Sequence, residues 1–166
     1  VGPNGEIVGR VKNGRPKFFP DYYVIPMSLD KDNDAQEAFN MIDYFKRNGV
    51  LVKELKEDIG NYKKGDLVID MAQAKRGYAN HILYKGSNES AWAAMYAELL
   101  VNFPDMRGFK SEPVFADGLF NGKLGEVTTT RATRTSEIDP KAPYYVIANT
   151  SASAVKAVNQ AIAQGK

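Results

Sequence analysis

The apolar phrase Tyr-Tyr-Val-Ile occurs twice, at residues 22–25 and 144–147, and a segment with helical spacing follows each copy. After the first copy, Asp34 is placed to cap a helix, and Glu37, three residues on, fits a capping box. Apolar side chains then repeat on one helical face, and Asn48-Gly49 supplies a left-handed stop. The side chains on this face are Ala38, Phe39, Ile42 and Phe45. We therefore predict a strand at residues 22–27, a helix, and a strand at residues 50–55.

This β-α-β succession predicts parallel strands joined by a right-handed crossover. Turn residues at 63–66 lead into an apolar strand at 67–71, and a helix is predicted at 73–84. A further helix, capped by Ser90 and closed by Phe103-Pro104, precedes a short strand at 113–116. The apolar face of that helix comprises Trp92, Met95, Tyr96, Leu99 and Leu100. The pattern predicts an α/β domain with a mainly parallel sheet and helices on both faces.

The two ends of the chain carry weaker signals. Residues 1–20 are rich in Gly, Pro and Asn and predict a linker or short hairpin. Residues 117–143 predict a long exposed loop with one candidate strand at 125–131. The second unit comprises a strand at 144–149, a cap at Thr150 or Ser151, and a helix to about residue 164. No strand follows that helix, so we expect residues 21–166 to form one α/β domain fragment, incomplete at its C-terminus and cut from a longer chain.

Composition narrows the function classes. A length of 166 residues suits one domain, and a formal charge of +2 gives no support for nucleic acid as a partner. The absence of cysteine excludes disulfides, thiolate metal sites and cysteine nucleophiles. No apolar run reaches the length of a membrane span, so we expect no membrane insertion.

Candidate chemistry lies at two strand-to-helix junctions, which is where open α/β sheets bind ligands. Lys75 and Arg76 stand at one junction, and both are equally suited to surface ion pairs. Asn149, Thr150 and Ser151 stand at the other, where Ser and Thr are also the ordinary N-cap residues. These five residues are the candidate ligand-binding residues.

Acid, base and metal chemistry finds less support in the sequence. Asp21 and Asp70 lie at strand ends, and the sequence shows no sign that they converge. His81 is the only histidine, and a catalytic zinc site built from several imidazoles therefore cannot come from this chain alone. We predict no catalytic residue, metal ligand or cofactor in this chain.

Three segments together resemble the region downstream of the catalytic domain in large bacterial zinc carboxypeptidases of the carboxypeptidase A-like family. They are FFPDYYVIP (18–26), QAKRGYAN (73–80) and WAAMYAE (92–98). The resemblance implies a flavodoxin-like, class I glutamine amidotransferase-like fold. It also implies an extracytoplasmic protein, secreted or in the cell envelope, whose parent hydrolyses C-terminal peptide bonds with zinc held in an upstream peptidase domain.

No catalytic residue of that family can be placed here, because no His-x-x-Glu pair exists and His81 is alone. The resemblance therefore implies a non-catalytic accessory domain that contacts the upstream peptidase domain or shapes substrate access. Two rival hypotheses stay open. One is a ligand-binding module for an anionic or cell-wall-derived fragment, and the other is a self-association module that forms a homo-oligomer through an open sheet edge.

Overall fold

The computed structural model describes residues 19–27, 34–85, 103–128, 139, 141–147, 149 and 152–165. The predicted hairpin within residues 1–20 and the predicted helix after Ser90 lie largely outside this part of the chain. In chain order the strands are β1 (Tyr22–Ile25), β2 (Lys53–Leu55), β3 (Leu67–Asp70), β4 (Glu112–Val114) and β5 (Leu124–Gly125). The helices are α1 (Ala35–Arg47), α2 (Arg76–Leu83), α3 (Phe103–Arg107) and α4 (Ala152–Ala163).

Helix α1 matches its sequence prediction at both ends. The Asp34 carboxylate accepts hydrogen bonds from the backbone N–H groups of Gln36 at 3.0 Å and Glu37 at 3.1 Å. At the other end, Asn48 is the C-cap and Gly49 has a φ of 75°. The reciprocal half of the predicted capping box does not form, because the Asp34 N–H donates to the Gly108 carbonyl at 2.8 Å and the Glu37 carboxylate instead pairs with Arg107 of α3 at 3.2 Å. The short-range signals in the sequence were therefore sufficient to place this helix.

The sheet is antiparallel, and the prediction of a mainly parallel sheet is wrong. The strand order is β4-β1-β3-β2-β5, and every pairing in the described residues is antiparallel. Strands β1 and β2 do run in the same direction, since both are antiparallel to β3, but β3 lies between them. The physical reason is the connection at residues 56–66, which contains no helix and returns the chain beside β2.

Leaving aside the short helix α3 and the later elements β5 and α4, the order is β-α-β-β-α-β, and the insertion of β3 between β1 and β2 is the split β-α-β arrangement of ferredoxin-like folds. The expectation of a flavodoxin-like, class I glutamine amidotransferase-like fold is therefore wrong as well. A ferredoxin-like arrangement hosts many unrelated functions, so no activity follows from it.

Within the described residues the two faces of the sheet are covered differently, with helices packed on one face only, which corrects the expectation of helices on both faces. Helices α1 and α2 pack on one face, where Phe45 and Leu83 meet Tyr23 and Ile69 in one buried cluster. The opposite face carries Tyr22, Val24 and Val68, and residues 59–62 and 116–124 cover it with Phe120 at the centre. Strand alternation explains the separation, because neighbouring residues of β1 point to opposite faces.

The second copy of Tyr-Tyr-Val-Ile is not a strand. Residues 144–147 have no strand pairing in the described part of the chain, and Val146 is 91% exposed, whereas Val24 of the first copy is fully buried. Helix α4 follows as predicted, but none of its residues is buried. The argument for a missing C-terminal strand, and for self-association through an edge beside it, depended on a second β-α unit in the sheet and loses that basis.

Candidate functional site

A cleft of about 500 Å³ opens where β1 begins and β3 ends, beside the first turn of α2. Its volume falls in the usual range for small-molecule sites. Four of its residues are charged, and the others are aromatic, aliphatic or amide-bearing. The lining residues are Phe19, Pro20, Asp21, Tyr22, Asp70, Met71, Ala72, Arg76, Asp117 and Asn121.

The junction between β3 and α2 is fixed by side-chain hydrogen bonds to the backbone. Asp70 accepts from the N–H of Ala72 at 2.8 Å, which closes an Asx turn directly after the strand. The Gln73 amide accepts from the N–H of Leu51 at 2.8 Å and donates to the Leu51 carbonyl at 3.1 Å and the Asp70 carbonyl at 2.6 Å. Gln73 therefore ties the chain entering β2 to the chain leaving β3, and this fixes where α2 starts.

Arg76, the first residue of α2, brings the cleft its positive charge. Its guanidinium carbon lies over the ring of Phe19, 5.2 Å from the ring centroid. Such stacking holds a guanidinium in place without using its N–H donors. The described residues make no hydrogen bond or ion pair with this guanidinium within the distances that define one, so its donors are available to a bound group.

Carboxylates from three separate parts of the chain line the same cleft. They belong to Asp21 before β1, Asp70 at the end of β3, and Asp117 in the segment after β4. Asp21 and Asp70 come together because β1 and β3 are antiparallel: Tyr22 is paired with Asp70, and the Met71 N–H donates to the Asp21 carbonyl at 2.9 Å. The lining is therefore mixed in sign and acidic on balance.

Tyr22 lines the cleft beside the acidic residues and also belongs to the buried cluster around Phe120. It is 4% exposed, and its ring packs edge-on against Phe120 with centroids 4.9 Å apart. Burial raises the pKa of Tyr22, the negative charges of Asp70 and Asp117 raise it further, and backbone hydrogen bonds from Gly118 and Phe120 partly oppose them. The raised pKa means that the Tyr22 hydroxyl holds its proton more tightly than an exposed tyrosine does.

The structure separates the five candidate residues that the sequence suggested. Arg76 lines the cleft, whereas Lys75 and Asn149 are exposed and are not among its described lining residues. Thr150 and Ser151 lie outside the described residues. Lys75 is the N-cap of α2 without a side-chain capping hydrogen bond. Of the two junctions, only the one after β3 contributes to the cleft that the described residues form.

Sequence reasoning missed the acidic side of the cleft. Asp21 and Asp70 stood out as strand ends, but a parallel sheet would place the start of β1 and the end of β3 at opposite edges. Asp117 and Asn121 fall in a stretch that predicted only loop. The available signal was the helix-free connection at residues 56–66, which favours an antiparallel return and would have brought Asp21 and Asp70 together.

His81 lies on the exposed side of α2. Within the described ranges, no three His, Asp or Glu side chains are grouped so that they could hold a metal ion. None of the described helices is long and apolar enough to cross a membrane.

Comparison with family models, with curated proteins and with solved structures gave no match to this chain.

Proposed function

We propose that this chain is a non-catalytic accessory domain of a bacterial zinc carboxypeptidase, located outside the cytoplasm. The parent protein would hydrolyse C-terminal peptide bonds with zinc bound in an upstream peptidase domain. The cleft beside α2 would face that domain or the peptide substrate. The resemblance of residues 18–26, 73–80 and 92–98 to the family supports this proposal.

The observation that carries the proposal is the position of residues 73–80, the most specific of the three segments. Within it, Gln73 fixes the β3–α2 junction, and buried Asn80 accepts a hydrogen bond from the Tyr23 hydroxyl at 2.8 Å. Arg76, between them, lines the cleft. The segment therefore combines two residues that hold the fold with one that faces a ligand-sized opening. This division suits a domain that binds or orients a partner.

The test measures the zinc content and the peptidase activity of the purified chain. We expect well under one zinc ion per chain after dialysis against trace zinc, and no release of C-terminal amino acids from peptide substrates. His81→Ala serves as the matched variant, and its zinc content and activity should equal those of the unsubstituted chain. Stoichiometric zinc that is lost on His81→Ala, or peptide hydrolysis by the chain alone, would contradict the proposal.

A second candidate function is a ligand-binding module, and the cleft itself favours it. The candidate site is centred on Arg76 and the three carboxylates, because Lys75 and Asn149 do not line it. The sequence suggested an anionic or cell-wall-derived fragment as the ligand. A purely anionic ligand fits this lining poorly, since one arginine faces three acidic side chains.

A further inference from the structure

We propose that the cleft binds a zwitterion: a free amino acid or short peptide whose carboxylate contacts Arg76 and whose ammonium group contacts Asp70 and Asp117. The proposal rests on the second candidate function, ligand binding, and not on the carboxypeptidase association. Three independent properties of the cleft support it, namely its anion-binding side, its cation-binding side and its size.

The anion-binding side is the guanidinium of Arg76. Its stacking on Phe19 orients the planar fork and limits the rotamer freedom that would otherwise be lost on binding. A guanidinium fork matches the two oxygens of a carboxylate, and such charge-assisted pairs are the strong ones. Arg76 therefore offers a preoriented contact for one carboxylate.

The cation-binding side consists of Asp70 and Asp117, whose side chains both line the cleft together with Tyr22. One Asp70 oxygen is held by the Ala72 N–H at 2.8 Å, so this carboxylate has a fixed orientation. An ammonium group with three donors can contact two carboxylates at once. Asp21, which lines the same cleft, adds to the negative field.

Neither an anion nor a cation alone satisfies this lining. An anion at Arg76 would be repelled by the acidic residues, and a cation at Asp70 and Asp117 would leave the Arg76 donors unused. A molecule with both charges satisfies both sides. A cavity of about 500 Å³ has room for a free amino acid or a dipeptide. Phe19, Pro20 and Met71 provide apolar contact for aliphatic groups between the charges.

The experiment titrates the full chain with the dipeptide alanyl-alanine and follows backbone amide chemical shifts by NMR. Saturable shifts should appear at cleft residues such as Ala72 and Asn121, with a Kd of about 1 mM or tighter. Two probes remove one charge each: N-acetyl-alanyl-alanine lacks the ammonium group, and alanyl-alanine amide lacks the carboxylate. Each should bind about tenfold more weakly than the dipeptide.

Two variants assign the two charges. Arg76→Gln should abolish the preference for the dipeptide over its amide, and Asp117→Asn should weaken the preference over the N-acetyl form. Arg47→Gln and Asp43→Asn, which change exposed residues of α1 outside the cleft, are the matched controls. All four changes are at exposed positions, and the urea midpoint of each variant verifies that it folds.

Absence of saturable shifts with alanyl-alanine would overturn the proposal. Equal binding of all three probes, or equal loss in the cleft and control variants, would overturn it as well. This outcome is distinct from failure of the carboxypeptidase proposal, because the titration involves neither zinc nor peptide hydrolysis. Zinc bound through His81 would contradict the proposal of a non-catalytic accessory domain. It would not change the outcome of the dipeptide titration.

Discussion

At the scale of single residues, the polar side chains of this domain divide into those that hold backbone and those that face the cleft. Asp66 is buried and accepts from the N–H groups of Met27 at 3.0 Å and Lys63 at 2.8 Å. Glu54 is buried too, and accepts from the N–H of Thr128 at 2.7 Å. A buried carboxylate is stable only when it is hydrogen-bonded, and these two use backbone N–H groups as partners, so we assign them a structural role. Arg76 and Asp117, which are exposed in the cleft, are the better choices for binding.

The tyrosines give the domain a pH dependence on the alkaline side. Tyr78 donates to the Tyr44 hydroxyl at 2.7 Å, and burial, together with this contact, raises the pKa of Tyr78 from 10.0 to about 12. The unfolded chain therefore loses this proton first. We predict that the free energy of unfolding is unaffected by this group below pH 10.0 and falls between pH 10.0 and about 12.

Urea denaturation at a series of alkaline pH values measures this effect. Tyr78→Phe should reduce the slope of stability against pH, whereas Tyr144→Phe, at a side chain that is 77% exposed, should leave the slope as it is. The raised pKa values of Tyr22 and Tyr62 act in the same direction, so part of the slope should persist in Tyr78→Phe. Stability that rises with pH in this window would contradict the prediction.

At the scale of elements, sequence predicted what local signals determine. The N-cap Asp34, the C-cap Asn48 and the following Gly49 lie within one turn of α1, and the predicted ends were correct. Strands β1 and β3 were located within two residues of their bounds for the same reason. Their partners could not be predicted in this way, because pairing depends on contacts between residues distant in sequence. Because the sheet was predicted to be parallel, the contact between Asp21 and the end of β3 could not be predicted.

The junction between β3 and α2 gives a prediction at this scale. Gln73→Ala removes three hydrogen bonds to the backbone of Leu51 and Asp70. We expect the free energy of unfolding to fall by about 1–3 kcal/mol. Gln73→Glu should be at least as damaging, because an acceptor then faces two carbonyl oxygens.

Urea denaturation monitored by circular dichroism checks this, with Gln36→Ala as the matched control. The Gln36 side chain bonds to Asn40 on the surface of α1, so its loss should change stability by less than about 0.5 kcal/mol. Equal effects at Gln36 and Gln73 would show that the contacts of Gln73 do not hold the junction.

At the scale of the whole molecule, the structure combines a two-faced core with an exposed C-terminal helix. Helix α4 has no buried residue, and Val155, Val158 and Ile162 are exposed. We predict that ending the chain after Ser151 changes the free energy of unfolding by less than about 0.5 kcal/mol. Phe45→Ala, in the helix-covered face, should cost about 3–5 kcal/mol in the same assay. A loss of that size on removing α4 would show that α4 packs against the domain.

The insertion of β3 between β1 and β2 also determines when the sheet can form during synthesis. Neither β1 nor β2 pairs with the other, so both remain without a partner until residues 67–70 leave the ribosome. The β2–β3 hairpin is the nearest pairing in sequence and is expected to form first, followed by β1 and then by β4 at the edge. A nascent chain that stops before residue 67 therefore lacks both strands that pair with Tyr22–Ile25, and we expect this unpaired apolar strand to make it prone to aggregation.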